Sequence, residues 1–99
     1  MDFSTSCVHP PRRVKDAKGA IVPPLYLTSS FAHPGVGQST GYDYSRLQNP
    51  TREVLEDTVR ELEGGDDCLA FSSGMAAISC LMELFSPGDR LVASWDLYG

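Results

Sequence analysis

The fold class is decided by residues 68–93, which read CLAFSSGMAAISCLMELFSPGDRLVA. The run at 68–71 is short and continuously apolar, which is typical of a strand buried on both faces of a sheet. Residues 75–85 are apolar on nearly every side, and their alanine, leucine and methionine content favours a covered helix. After the turn at 86–89, the run at 91–93 predicts a second buried strand. The order strand, helix, strand implies parallel pairing, so we predict an α/β fold with a parallel-rich sheet.

A further helix is predicted immediately before this unit. Asn49 can cap free backbone N–H groups, and the proline that follows it is tolerated at the first helical position. Apolar residues recur at helical spacing through residues 54–62, which predicts one buried stripe. The charged residues should face water, with Glu56 and Arg60 as a supporting i,i+4 pair. A pair of glycines ends the helix.

Residues 1–48 have a different character. Six of the seven prolines lie at or before position 50, and proline both lacks the N–H that a helix needs and restricts its predecessor to extended conformations. We therefore predict an extended N-terminal arm at 1–48, followed at 49–99 by the first part of a larger α/β domain. Apolar anchors such as Leu25 and Phe31 need a surface that 99 residues do not offer, so we expect a partner subunit or further chain.

Composition narrows the class of protein. The chain has 41% apolar and 21% charged residues, which is typical of a soluble globular protein. No apolar run approaches the roughly 20 residues of a membrane span, and we expect no secretory signal. Three cysteines fit neither a disulfide framework nor a zinc cluster, which indicates reduced thiols, a cytoplasmic location and no metal site. The second half carries three basic against ten acidic residues, which argues against nucleic-acid binding.

Ligands of parallel α/β sheets bind beyond the carboxyl ends of the strands, and two such ends are predicted here. The first carries Ser73, Gly74 and Met75 at a helix N-terminus, where backbone N–H groups, serine hydroxyls and a close approach at glycine suit an anion. The second carries Trp95 and Tyr98, which suit stacking on a flat ring. The plainer alternatives are a serine-capped helix without a ligand and ordinary aromatic packing.

Tyr44 and Arg46 form a third candidate. An arginine can grip a phosphate with two hydrogen bonds, and a tyrosine can donate its hydroxyl to the same group; the alternative is a surface loop. His9 and His33 have no acid or cysteine at a telling spacing, so we interpret both as solvated loop residues. Together, an anion site and a stacking aromatic suit a phosphorylated aromatic cofactor.

Seven segments carry a more specific pattern, and they are Pro23–Tyr26 with Thr28 and Phe31, Tyr44–Thr51, Leu55–Glu56, Leu62–Gly65, Ser73–Ile78, Gly88–Asp89 and Leu97–Gly99. In this order they resemble the N-terminal quarter of the cysteine/methionine-metabolism family of pyridoxal-phosphate (PLP) enzymes. That family includes cystathionine γ-synthase, cystathionine lyases, methionine γ-lyase and homoserine-ester sulfhydrylases. The resemblance implies the start of a fold-type I, aminotransferase-like large domain.

The resemblance also implies roles for the candidate residues. The Ser73–Met75 segment would hold the PLP phosphate through backbone N–H groups. Tyr44 and Arg46 would reach across a dimer interface to the phosphate in the neighbouring subunit's site. Tyr98 would stack on the pyridine ring and act as the catalytic proton-transfer group. The whole enzyme would be a homotetramer built from two active dimers.

For the reaction, the resemblance implies trans-sulfuration in methionine biosynthesis, and we favour a γ-replacement that joins an O-acylhomoserine to cysteine. Cystathionine or methionine lyase activity is the alternative, because the residues in this chain serve both reactions. The family's Schiff-base lysine lies beyond residue 99, and Lys15 and Lys18 are in no suitable context, so this chain alone should be inactive. A small non-catalytic phosphate-binding α/β module is the alternative from another class.

Overall fold

The N-terminal segment is helical rather than extended. The computed structural model describes residues 2–9 and 18–98, and helix α1 spans Phe3–Val8. Proline does not constrain this segment, because the first proline of the sequence is Pro10. The prediction of an extended arm over the whole of 1–48 is therefore wrong here, while the predicted context of Lys15 lies outside the described residues.

Residues 18–48 contain no helix, as the prolines predicted. Their regular pairing is a single antiparallel bridge between Ser30 and Tyr44. Beside it, the backbone N–H of Phe31 donates to the carbonyl of Asp43 at 3.0 Å. The bridge folds this part of the arm back on itself and places Tyr44 at its base.

A small polar network closes the loop inside this bridge. One ring nitrogen of His33, Nδ1, lies 2.8 Å from the carbonyl oxygen of Gln38, and the other, Nε2, lies 3.0 Å from Asp43 Oδ1. The Ser39 hydroxyl donates to the same carboxylate oxygen at 3.1 Å. His33 is solvent-exposed, as predicted, but it has a carboxylate partner ten residues along the chain that its spacing had not indicated.

Helix α2 spans Pro50–Glu63, with both ends as predicted. Asn49 caps it by accepting the backbone N–H of Thr51 at 2.8 Å, which satisfies a donor that the helix cannot. Gly64 terminates it with a φ of 65°, in the left-handed region that glycine adopts without steric cost.

The exposure of Leu55, Val59 and Asp57 on α2 is the reverse of the prediction. Leu55 and Val59, on the apolar stripe, are 56% and 38% exposed, whereas Asp57 on the charged face is 4% exposed. The charged face is covered because the rest of the chain binds it through polar groups, including the Tyr42 hydroxyl, which donates to Glu53 at 2.7 Å. The predicted Glu56–Arg60 pair is replaced by others on the same helix. On the apolar stripe, Leu55 and Val59 are therefore left without a cover within the described residues, whereas Val54 and Leu62 are half-buried.

Helix α3 spans Gly74–Met82 and continues as a tight turn to Phe85, slightly short of the predicted end. None of its residues is buried. The predicted strands at 68–71 and 91–93 do not pair with each other, so residues 18–98 contain no parallel sheet. A strand forms a ladder only with a neighbour about 4.8 Å away, and the one backbone donor at Ala70 is instead taken by the Glu56 carboxylate.

The described residues form no buried hydrophobic core. The chain exposes 8363 Å², whereas a folded monomer of this mass exposes about 5,500 Å². Its radius of gyration is 17.4 Å, against roughly 13 Å for a compact domain of this length. No described helix combines the length and apolar character needed to cross a bilayer. Large apolar side chains are exposed on the arm, on α2 and α3 and along 84–98, so we expect further protein to cover them.

We expect residues 1–99, expressed alone, to lack a cooperative thermal transition. Without a buried hydrophobic core, little opposes the conformational entropy of the unfolded chain. Calorimetry and binding of a hydrophobic dye would measure this directly. A sharp transition in a monomer of this size would instead support the small, complete phosphate-binding module.

Candidate functional site

The N-terminus of α3 presents two backbone donors without an acceptor in the described chain. Ser73 caps the helix, its hydroxyl oxygen accepting from Ala76 N at 3.1 Å and its carbonyl accepting from Ala77 N at 3.2 Å. The preceding N–H groups, of Gly74 and Met75, remain for a ligand. No atom lies within 4 Å of the position that a Cβ on Gly74 would take. We call Ser73–Met75 the cradle; its open donors, at a positive helix end, are suited to a phosphate.

Tyr44 and Arg46 lie together on one exposed turn. The Tyr44 carbonyl accepts backbone N–H groups from Leu47 and Gln48 at 2.9 and 3.0 Å, which closes the turn. Arg46 Nη2 donates to the Tyr44 hydroxyl oxygen at 3.0 Å, and the guanidinium carbon lies 5.4 Å from the centre of the Tyr44 ring. The turn therefore presents a cation and a phenol side by side, and their role at a phosphate stays a prediction.

Several polar contacts fix this turn to the start of α2. Asn49 Nδ2 donates to the Tyr26 carbonyl at 3.3 Å and to the Ser45 hydroxyl at 3.0 Å. The Thr51 hydroxyl accepts the Tyr26 backbone N–H at 2.8 Å, and the Ser45 hydroxyl donates to the carbonyl of Thr28. The polar residues of the Tyr44–Thr51 motif thus hold the arm, the turn and the helix together.

Tyr42 adds a further attachment between the arm and α2. Burial and the adjacent Glu53 carboxylate raise the pKa of its phenol to about 12. Because the phenol stays protonated at neutral pH, it can donate its hydrogen bond to Glu53 continuously.

The second predicted loop stands apart from the other candidates. Tyr98 is 91% exposed and Trp95 is fully exposed, so neither packs against the described chain. No hydrogen bond, ion pair or ring contact among residues 18–98 joins Tyr98, the cradle and the Tyr44–Arg46 turn. Packing of the two aromatics against residues 2–9 or 18–98, the plainer alternative, is therefore absent.

Two residues near these candidates have contacts that the sequence did not predict. Arg52 donates to backbone carbonyls of the Tyr44–Arg46 turn, and Glu56 accepts from Ala70 in the segment before the cradle. The sequence contained a signal for Arg52. The helix macrodipole disfavours an arginine in the first turn of a helix, so contacts elsewhere must explain it.

The cysteines behave as small apolar residues. Cys68 and Cys80 line an open apolar cleft of about 390 Å³ together with Leu69, Phe71, Ala77, Leu81 and Leu84. All three thiols are free. In the described part of the chain, His, Cys, Asp and Glu side chains form no group of three or more that could bind a metal ion.

Comparison with known proteins gives a consistent result. A family model described as Cys/Met metabolism PLP-dependent enzyme matches residues 4–99. Cystathionine gamma-synthase/O-acetylhomoserine (thiol)-lyase of Bacillus subtilis is 51% identical over 87 residues, which are 88% of this chain and 23% of that protein. Cystathionine gamma-lyase of the same organism is 46% identical over 99 residues, all of this chain and 26% of that protein.

Solved structures agree with these sequence matches. The fold resembles cystathionine gamma synthase from Xanthomonas oryzae pv. oryzae, solved in complex with aminoacrylate and cysteine, with a TM-score of 0.77 and 38% identity. The match covers 90% of this chain and 23% of that one. The chain thus spans about a quarter of the length of the relatives that it matches.

Proposed function

Because the chain belongs to the Cys/Met metabolism PLP-dependent enzyme family, we propose that it forms the N-terminal quarter of a trans-sulfuration enzyme. The observation that carries the proposal is the cradle, whose open N–H donors stand at the end of a helix, beside a glycine with free space around it. The uncovered apolar surface of α2 and α3 supports the idea that the remaining three quarters pack here.

The residues present fit the phosphate of PLP. A phosphate dianion needs several N–H or O–H donors and a nearby cation. The cradle offers the backbone N–H groups of Gly74 and Met75, and the hydroxyl hydrogen of Ser73 is not used in capping. When bound, PLP supplies an electron sink for carbanion chemistry. The lysine that attaches it would come from the part of the enzyme outside this chain.

We assign Tyr44 and Arg46 to the phosphate of a neighbouring subunit. Their shared turn is exposed, and no cradle residue of the same chain contacts it. This arrangement makes the smallest active unit a dimer, and the predicted tetramer would pair two of them. A cytoplasmic location likewise remains a prediction.

Tyr98 would serve the same site from the opposite side. Its exposed ring is available to stack on the cofactor, and its hydroxyl could hold or move a proton at the substrate's reacting atoms. Trp95, equally exposed three residues earlier, would border the site or pack against the rest of the domain.

The reaction that we favour is γ-replacement. The C–O bond of an O-acylhomoserine breaks and releases a carboxylate, while a C–S bond forms to cysteine. The 51% identity with a cystathionine gamma-synthase/O-acetylhomoserine (thiol)-lyase supports this choice. Cleavage of cystathionine is the second candidate, and the match along all of this chain to a cystathionine gamma-lyase, at 46% identity, supports it.

Comparison of two substrate sets separates these candidates. The full-length protein would be loaded with PLP and given either O-acetylhomoserine with cysteine or cystathionine alone. We expect cystathionine to accumulate in the first reaction faster than it is cleaved in the second. The opposite ratio would assign a lyase, and failure of the protein to bind PLP would reject the enzyme altogether.

Gly74→Val should weaken PLP binding by about tenfold or more, because the added carbons occupy the space that the phosphate oxygens need at the helix end. The described chain has no atom within 4 Å of the new Cβ, so the substitution itself causes no clash there. Titration of the apoenzyme with PLP, followed by absorbance, gives the dissociation constant. Gly74→Ala is the matched control and should have a smaller effect; equal affinities for all three proteins would remove the cradle from the site.

A further inference from the structure

Arg52 contacts the Tyr44–Arg46 turn from the first turn of α2. Its Nη1 donates to the carbonyl of Ser45 at 3.2 Å and to that of Arg46 at 3.4 Å, and its Nη2 donates to the carbonyl of Leu47. These successive carbonyls resemble the unpaired acceptors at the end of a helix. A guanidinium has five N–H donors in a rigid fork and can serve all three, whereas the single nitrogen of a lysine cannot reproduce that geometry.

The same side chain is connected to the segment before the cradle. Arg52 Nε lies 3.4 Å from Glu56 Oε1, an ion pair whose atoms are not aligned as a hydrogen bond. That carboxylate oxygen accepts the backbone N–H of Ala70 at 2.8 Å. Ala70 precedes the helix cap Ser73 by three residues. Arg52 and Glu56 therefore bridge the turn that carries Arg46 and the segment that leads to the cradle.

Apart from its i,i+4 ion pair with Glu56, the contacts of Arg52 are to backbone outside α2. It is the third residue of the helix, where the macrodipole disfavours a cation. Its side chain is 32% exposed and that of Glu56 is 15% exposed, so the pair is only partly screened by solvent. The arginine is therefore explained by what it holds, which is the backbone from which Arg46 and Tyr44 project.

We propose that Arg52 is a positioning residue for cofactor binding, which fixes the turn so that Arg46 is preorganised toward the phosphate. The proposal rests on the function proposed above and adds a residue to it. Preorganisation matters because a flexible turn would have to be ordered each time the phosphate binds, and that cost lowers affinity. Arg52 acts through Arg46 and does not itself touch the phosphate.

The test measures the PLP dissociation constant of the full-length apoenzyme, its melting temperature and kcat at saturating PLP. Arg52→Met should raise the dissociation constant about five- to tenfold, because one charge-assisted contact to the phosphate is weakened rather than lost. Arg52→Lys should not restore the affinity. Arg60→Met is the matched control, since it removes an arginine that pairs with Asp57 on the same helix and makes no contact with the turn.

Two further variants locate the effect. The double variant Arg46→Met/Arg52→Met should bind PLP no more weakly than Arg46→Met alone, because Arg52 acts through Arg46. Glu56→Gln, which keeps an acceptor for Ala70 but removes the ion pair, should raise the dissociation constant only about threefold.

Each outcome decides between the proposals. The positioning role would be overturned by normal PLP affinity in Arg52→Lys or by multiplicative effects in the double variant. It would also be overturned if Arg52→Met had a lower melting temperature than Arg60→Met but unchanged PLP affinity. If Arg52→Met does not fold, normal affinity in Glu56→Gln overturns it. Weaker PLP binding in Arg46→Met with no effect in Arg52→Met rejects this inference alone. Unchanged affinity in Arg46→Met rejects the phosphate assignment of the proposed function, and the role of Arg52 with it.

Discussion

Replacing Tyr98 with phenylalanine is expected to lower turnover at least about tenfold while PLP stays bound nearly as in the parent enzyme. The ring that would stack on the cofactor is kept, and only the hydroxyl is lost. General acid–base help from a positioned group is typically worth about 10² to 10⁴ in rate, so the predicted loss is at the low side of that range. Steady-state kinetics at saturating PLP, together with a PLP titration, would measure both quantities.

Tyr98→Ala separates stacking from proton transfer. It should lose turnover and also about fivefold in PLP affinity, since an aromatic contact contributes on the order of 1 kcal/mol. Trp95→Phe is a useful control, because it changes a neighbouring exposed aromatic without removing a hydroxyl. Turnover in Tyr98→Phe equal to that of the parent would exclude a proton-transfer role, and tight PLP binding in Tyr98→Ala would remove Tyr98 from the site.

The sequence was a good guide to local structure and a poor one to burial. Both ends of α2 were predictable because an asparagine cap and a left-handed glycine are chemical signals contained in one or two residues. The exposure of Leu55 in this chain was not predictable, because an apolar stripe shows that a face will be covered without showing what covers it. The strand predicted at 68–71 is not formed for the same reason, since a strand is defined by a neighbour that residues 2–9 and 18–98 do not supply.

In the candidate site, too, some features were predictable from the sequence and others were not. The Ser73 cap and the Tyr44–Arg46 contact each involve near neighbours in sequence, and the structure contains each of them. Arg52 and Glu56 were missed because their roles depend on contacts to backbone atoms, and a cation in the first turn of α2 does not show what it contacts. The position of Tyr98 relative to the cradle depends on a parallel sheet that was predicted through 68–71 and 91–93, and residues 18–98 do not form it.

Mixing two inactive variants should restore activity if Arg46 acts in a neighbouring subunit. We would combine Arg46→Met subunits with Tyr98→Ala subunits by co-expression of the full-length proteins. In a mixed dimer, one site then receives an intact Tyr98 from its own chain and an intact Arg46 from the other, while the second site receives neither. Random pairing makes half of the dimers mixed, so activity should recover to about a quarter of the parent value, as two-fold symmetry requires.

The complementation result distinguishes the two placements of the Tyr44–Arg46 turn, because the predictions differ in kind. If Arg46 served its own subunit, every site of a mixed dimer would carry one defect, and activity would stay at the level of the separate variants. A mixture of Gly74→Val with Tyr98→Ala is the matched control, since both residues are assigned to the same subunit's site and no dimer of these chains contains an intact one. Recovery in the Arg46 mixture and none in the Gly74 mixture would also explain the exposed turn, because its cation would then be held ready for a phosphate that a second copy of the chain binds.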